Sequence, residues 1–147
     1  ALAIDNQNNF SDRYFGDAEK FMIYTWENDK LNFEELLINP HQHIQTEKDE
    51  DPAQKAHTII RLLKIKNVNM LVAKQFGPAI SFANTHFIPV IIAENHPHQV
   101  IALLEKRMDW MKDELANKSG DYMLFRIKNG VLKSQINTGI SQLFREK

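Results

Sequence analysis

The sequence predicts an α/β domain built on a mixed five-stranded sheet flanked by helices, with a C-terminal β-hairpin extension. Three observations predict it. Two apolar runs near the N-terminus are separated by four polar residues, the pattern of a hairpin. Between residues 52 and 117, short apolar runs then alternate with stretches of helical period. Finally, Pro52 and Pro97 stand where those helical stretches begin, and proline suits a first helical position because its missing N–H has no partner there anyway. We place the α/β domain at residues 1–117 and the hairpin with its tail, packed on the same domain, at 118–147.

Taken in order, "ALAID" (1–5) reads as a first strand. "FMIYTW" (21–26) and "LNFEELLI" (31–38) flank the turn "ENDK" and form the hairpin. "NPHQHIQTEKDED" (39–51) has turn signals and an acidic run but no helical period. It is a long loop, and loops of that length in compact domains are usually functional or mobile. At Asp51-Pro52 a helix starts, with Asp accepting from free first-turn N–H groups and Ala56, Ile59, Ile60 and Leu63 forming one apolar face. "VNMLVA" (68–73) is a buried strand, and "KQFGPAISFAN" (74–84) a turn and short helix with Pro78 at its first position. "FIPVIIA" (87–93) is the next strand. The stretch 95–115 repeats the proline signal and sets Val100, Leu104, Met108, Met111 and Leu115 along one side. After Gly120, two strand-like runs surround Asn129-Gly130, a hairpin pair because both residues tolerate positive φ. Ile140, Leu143 and Phe144 are spaced for one or two helical turns docked on the body.

Right-handed crossovers place 68–73 and 88–93 parallel beside the first strand, with the N-terminal hairpin on its other side. Strands one, three, four and five then point the same way. Loops 5–11, 39–51 and 74–78 leave one edge, and the connections diverge between strands one and four, where open α/β sheets bind ligands.

Composition narrows the function. The 147 residues carry 18 Lys plus Arg against 19 acids, a net charge of -1 without basic clusters, so no field favours nucleic acid. The absence of cysteine removes disulfides, thiol nucleophiles and thiolate metal sites, and suits a reducing compartment. No apolar run approaches the roughly 18 residues of a membrane helix, and the first residues lack a signal-peptide pattern. We expect a cytoplasmic protein with neither nucleic acid nor membrane as partner.

"SDRYFGDAEKFMIY" (11–24), "INP" (38–40) ahead of a His-containing loop, and "VNMLVAKQFGPAI" (68–80) followed by "FIPVII" (87–92) carry a resemblance. Together, over roughly residues 1–115, they resemble the dinitrogenase iron–molybdenum cofactor biosynthesis family. That resemblance implies a ribonuclease H-like fold. It also implies a non-enzymatic accessory protein that binds or carries an iron–molybdenum or iron–sulfur type cluster, or a similar anionic ligand. Its partners would be proteins that donate or accept a metallocluster. Family members read His-Phe-Gly where this chain has Tyr14-Phe15-Gly16, and that histidine is a proposed cofactor contact. Phenol is a poor substitute for imidazole at a soft metal cluster. The alternative is therefore an interaction or regulatory module of the same fold whose cofactor site has decayed.

The resemblance marks Ser11, Tyr14, Phe15, Gly16, Gln75, Phe76, Gly77 and Pro78 as cofactor-binding. Gly16 would let the backbone turn tightly or approach a neighbour as the chain enters the second strand. Gly77 and Pro78, flanked by Lys74, would open a helix whose first N–H groups receive an anion; the alternative is a plain strand-to-helix turn. His41 and His43, two apart, would project to one side of an extended backbone and are the candidate metal ligands, with acids 49–51 following; solvated loop histidines are the alternative. His96 would cap the third helix and His98 would sit at its positive end, while His57 and His86 read as structural. No catalytic residue is assigned. Asp5 ends the first strand, but the second and fourth strands lack the carboxylates to complete a metal pair, and Ser11 has no evident His–Asp partners.

Overall fold

The computed structural model describes residues 1–40, 52–128 and 130–136. His41, His43, the acidic run 49–51, Asn129 and the spaced apolar residues Ile140, Leu143 and Phe144 lie outside the described residues. The strands are β1 (Leu2–Ile4), β2 (Lys20–Glu27), β3 (Lys30–Ile38), β4 (Met70–Ala73), β5 (Ile88–Ile91), β6 (Leu124–Ile127) and β7 (Val131–Ser134). The helices are α1 (Pro52–Ile65), α2 (Ile80–Ala83) and α3 (Pro97–Asn117), and a single 3-10 turn spans Phe15–Asp17.

These strands form one mixed sheet in the order β3-β2-β1-β4-β5-β6-β7. β1 pairs antiparallel with β2 and parallel with β4, and β4 to β5 and β5 to β6 are also parallel. The expected arrangement around the first strand is therefore present. Among the described residues the sheet has seven strands rather than five, because the C-terminal hairpin joins it: β6 continues the sheet beside β5.

Local chemistry explains several elements. The β2–β3 connection is two residues, Asn28 and Asp29, with φ of 55° and 60°, the left-handed pair whose twist matches a tight hairpin. Both α1 and α3 begin at their prolines. α2 does not: it starts at Ile80, so Pro78 belongs to the preceding turn rather than to the first helical position.

Alternation along the strands divides the core. Ala3, Phe21, Leu71 and Ala73 face α1 and α2, packing with Phe15, Ile59, Leu63, Phe76 and Phe87. Leu2, Ile4, Val72, Ile88 and Val90 face α3, packing with Phe10, Val100, Leu104, Met111 and Phe125. Burying each of these larger side chains contributes about 1.5–3 kcal/mol. The α2 and α3 crossovers thus lie on opposite faces while the strand order advances in one direction, so the two units have opposite hands. Such connections are right-handed in about 98% of cases, which makes one of this pair a departure.

The expected apolar side of α3 is present at Val100, Leu104, Met108 and Met111, but the fifth turn also buries Glu114, at 4% exposure. Its carboxylate accepts from the Met123 N–H at 2.8 Å and pairs with Lys118 at 3.1 Å, while Lys133 lies 3.8 Å away on β7. One buried acid therefore fastens the end of α3 to the added hairpin. Among the described residues no helix is long and apolar enough to cross a membrane.

Candidate functional site

β1, β3, β4 and β5 all end at the same edge, so the connections leaving Ile4, Ile38, Ala73 and Ile91 converge there. The first of these connections is built by short hydrogen bonds. Asp5 Oδ1 accepts from the N–H groups of Gln7 at 2.8 Å and Asn9 at 3.0 Å, and Asn8 takes a φ of 65°. That oxygen shapes a loop. Phe10 returns to bridge Ile4 antiparallel, and the buried Ser11 donates its N–H to Ala3 O while its Oγ accepts from Arg13 N–H, both at 3.0 Å. Ser11 thus sets the loop's exit.

The chain then meets the β4–α2 turn, 60 residues away in sequence. Phe15 N–H donates to Gln75 O at 3.0 Å, and Gln75 Nε2 donates to Asp12 O. The Phe15 ring stacks on Phe76 at 5.7 Å and on Phe21 at 4.9 Å between centroids. The Tyr14 ring lies over the α-carbon of Gly77. A β-carbon there would stand 2.5 to 2.7 Å from three ring atoms, and Gly77 has a φ of +73°. So Ser11, Tyr14, Phe15, Gly16 and residues 75–78 lie together at one edge, with Tyr14 itself half exposed.

One detail differs from the sequence expectation. Gly16 needs no special backbone: its φ is not positive, and an added β-carbon would only reach ordinary contact, 3.5 Å, with the Ile59 methyl. The glycine that the edge requires is Gly77. Within the turn before α2, Ile80 N–H donates to Gly77 O at 3.2 Å and Phe82 N–H to Ala79 O at 3.0 Å, so these two amides are already paired inside the chain.

One cation at this edge is Lys74. Its ammonium bonds Asp12 Oδ1 at 2.7 Å and Asn95 Oδ1, joining the β1–β2, β4–α2 and β5–α3 connections. Asn95 O in turn accepts from Phe10 N–H at 2.8 Å. His96 occupies the N-cap of α3 without a capping side-chain bond; its Nδ1 instead lies 3.0 Å from Asn9 Oδ1, and its ring stacks on His98 at 5.6 Å. His57 and His86 sit elsewhere, His57 against Phe82 and His86 beside Lys64. Burial, then the charges of Lys64 and His57, push the His86 pKa down. Among the described residues no group of three His, Asp or Glu side chains is placed to hold a metal ion.

Sequence reasoning passed over Asn39. Its carboxamide is buried and donates to Gly16 O at 2.8 Å and Ala18 O at 2.7 Å. Its place in "INP", between an apolar strand end and a proline, was the available signal.

A cavity of about 550 Å³ lies at the other end of the sheet, between residues 24–26 of β2 and 68–70 at the start of β4, with Met108, Met111 and Leu115 of α3 as its floor. It continues the line of β1 and is one strand wide, a gap in the sheet with mainly apolar walls.

These features define an α/β domain whose loops meet at the carboxyl edge of the parallel strands of a mixed sheet. A sequence profile of the dinitrogenase iron–molybdenum cofactor family matches residues 1–107, and the chain belongs to that family. The match ends within α3, leaving β6 and β7 beyond it. No curated protein and no solved structure matches significantly.

Proposed function

We propose that this protein is a non-enzymatic, cytoplasmic accessory of ribonuclease H-like fold. Its cargo is an iron–molybdenum or iron–sulfur type cluster, or a similar anionic group. The cargo sits at the edge formed by residues 11–16 and 75–78, with His41 and His43 entering from the β3–α1 loop as metal ligands. Partners are the proteins that hand such clusters over or take them up. The observation that carries this reading is the meeting of the two family segments: Phe15 N–H on Gln75 O and the Tyr14 ring on Gly77, beside the Lys74 ammonium. A cluster of net negative charge would find there a cation, already shared with one exposed carboxylate and one carboxamide, and imidazoles at His96 and His98. With no thiolates in the chain, charge, imidazole and hydrogen bonding must do the holding.

A second reading, an interaction module with a decayed site, is favoured by Tyr14. Its ring closes the space above Gly77, and a protonated phenol is a weak ligand. Anaerobic transfer of a cluster from a chelated donor, followed by visible absorption, tests both. Uptake near one cluster per chain supports the carrier. If the parent takes none and Tyr14→His restores uptake, the site has decayed; no uptake by either protein refutes the carrier.

A further inference from the structure

We infer that Asn39 is the positioning residue of this edge, holding the Tyr14 segment in register with the Gln75–Gly77 turn; its bearing on cargo rests on the reading above. Asn39 is 1% exposed and, with Ser11 and Glu114, is one of three buried polar or charged residues among those described. Its Nδ2 gives one proton to Gly16 O at 2.8 Å and one to Ala18 O at 2.7 Å, and its backbone N–H donates to Glu19 O at 3.0 Å. One residue at the end of β3 thus takes three carbonyls from the short stretch that follows Tyr14 and Phe15.

The chemistry leaves little choice of side chain. Two carbonyl oxygens converging on one buried point need a group with two protons on a single atom, which a carboxamide supplies and a carboxylate or hydroxyl does not. Leaving either carbonyl unpaired in a buried place is costly. Pro40 holds the residue before it in extended backbone, which fixes where the carboxamide starts. Nothing in this geometry has Asn39 touch cargo. It acts by setting where residues 14–18 lie.

The experiment compares the parent with Asn39→Ala and Asn39→Asp at pH 8. It measures hydrogen exchange at the Phe15 amide against the core amide of Val90, and uptake of a [4Fe–4S] cluster from a chelated donor. Asp keeps the shape of Asn but turns an oxygen on the two carbonyls, whereas Ala leaves a void. A filler of space would make Ala the worse change; a double donor makes Asp at least as bad. We expect Phe15 protection to fall at least tenfold in both variants, with Val90 protection retained. Cluster affinity should fall at least tenfold too, with Asp no better than Ala. Parent-like exchange at Phe15 in Asn39→Asp, or parent-like cluster affinity in both variants, overturns the inference while leaving the carrier reading intact. Should the parent itself take up no cluster, the carrier reading falls and exchange at Phe15 alone decides the role of Asn39. If Asn39→Ala fails to fold, the comparison of parent with Asn39→Asp still decides it.

Discussion

Replacing Gly77 with alanine should cost far more than one methyl group ordinarily would, for two separable reasons. The backbone there has a φ of +73°, and a β-carbon in left-handed geometry costs about 1–2 kcal/mol. The same β-carbon would lie 2.5 to 2.7 Å from the Tyr14 ring, which must move, and overpacking of that kind costs about 1–3 kcal/mol. Gly77→Ala should therefore destabilise by about 2–5 kcal/mol. In a Tyr14→Ala background the clash disappears and only the backbone cost remains. The coupling between the two sites should then be about 1–3 kcal/mol. Urea unfolding of the four proteins, with unchanged denaturant slope, gives that number. If Gly77→Ala costs the same with and without the Tyr14 ring, within about 0.5 kcal/mol, the ring does not rest on Gly77 and the edge is built differently.

Gly16→Ala should be neutral or stabilising by up to about 1 kcal/mol, since its backbone is ordinary and the new methyl finds space; a loss above about 1 kcal/mol would contradict this. Glu114→Gln keeps the shape but removes the charge facing Lys118 and Lys133. Because both lysines remain partly solvated, the loss measured by thermal unfolding should be only about 1–2 kcal/mol, and no loss would reject the fastening role. His86 resists protonation in the folded chain through burial, Lys64 and His57, so below the ordinary histidine pKa the unfolded chain takes the proton first. Its contribution is whole above that pKa and is lost as pH falls through the lower folded value. The urea midpoint should therefore drop between pH 7 and 5 less steeply in His86→Asn than in the parent; equal slopes would refute it.

The order of strands around β1 was legible because it follows from local signals: proline at Pro52 and Pro97, the polar turn "ENDK" at 27–30, and crossover rules. The membership of β6 in the sheet was not. It depends on a parallel pairing with β5 across α3, in a unit whose hand opposes that of the α2 crossover. At the edge, residues 11–16 and 75–78 were legible as motifs, yet which glycine mattered was not. At Gly77 the space for a β-carbon is taken by an aromatic ring 63 residues away in sequence, whereas Gly16 looked special because two aromatics precede it. Asn39 and Glu114 escaped for the same reason. A polar residue reads as exposed until the carbonyls or amides that satisfy it are brought alongside by distant chain.

The place of the added hairpin has a bearing on assembly. Without β6, β5 would be the margin of the sheet, a strand whose Ile88 and Val90 are fully buried and whose backbone groups would face outward without mates. An apolar, unmated margin invites the same strand of another molecule. The hairpin replaces it with β7, four residues long, carrying Lys133 and set beside the charged Arg126 and Lys128. A chain cut after residue 117 should therefore self-associate into particles whose growth slows at low concentration, even if its ligand edge is intact. The C-terminal strands would then act as a built-in brake on polymerisation, a duty separate from anything the opposite loops carry.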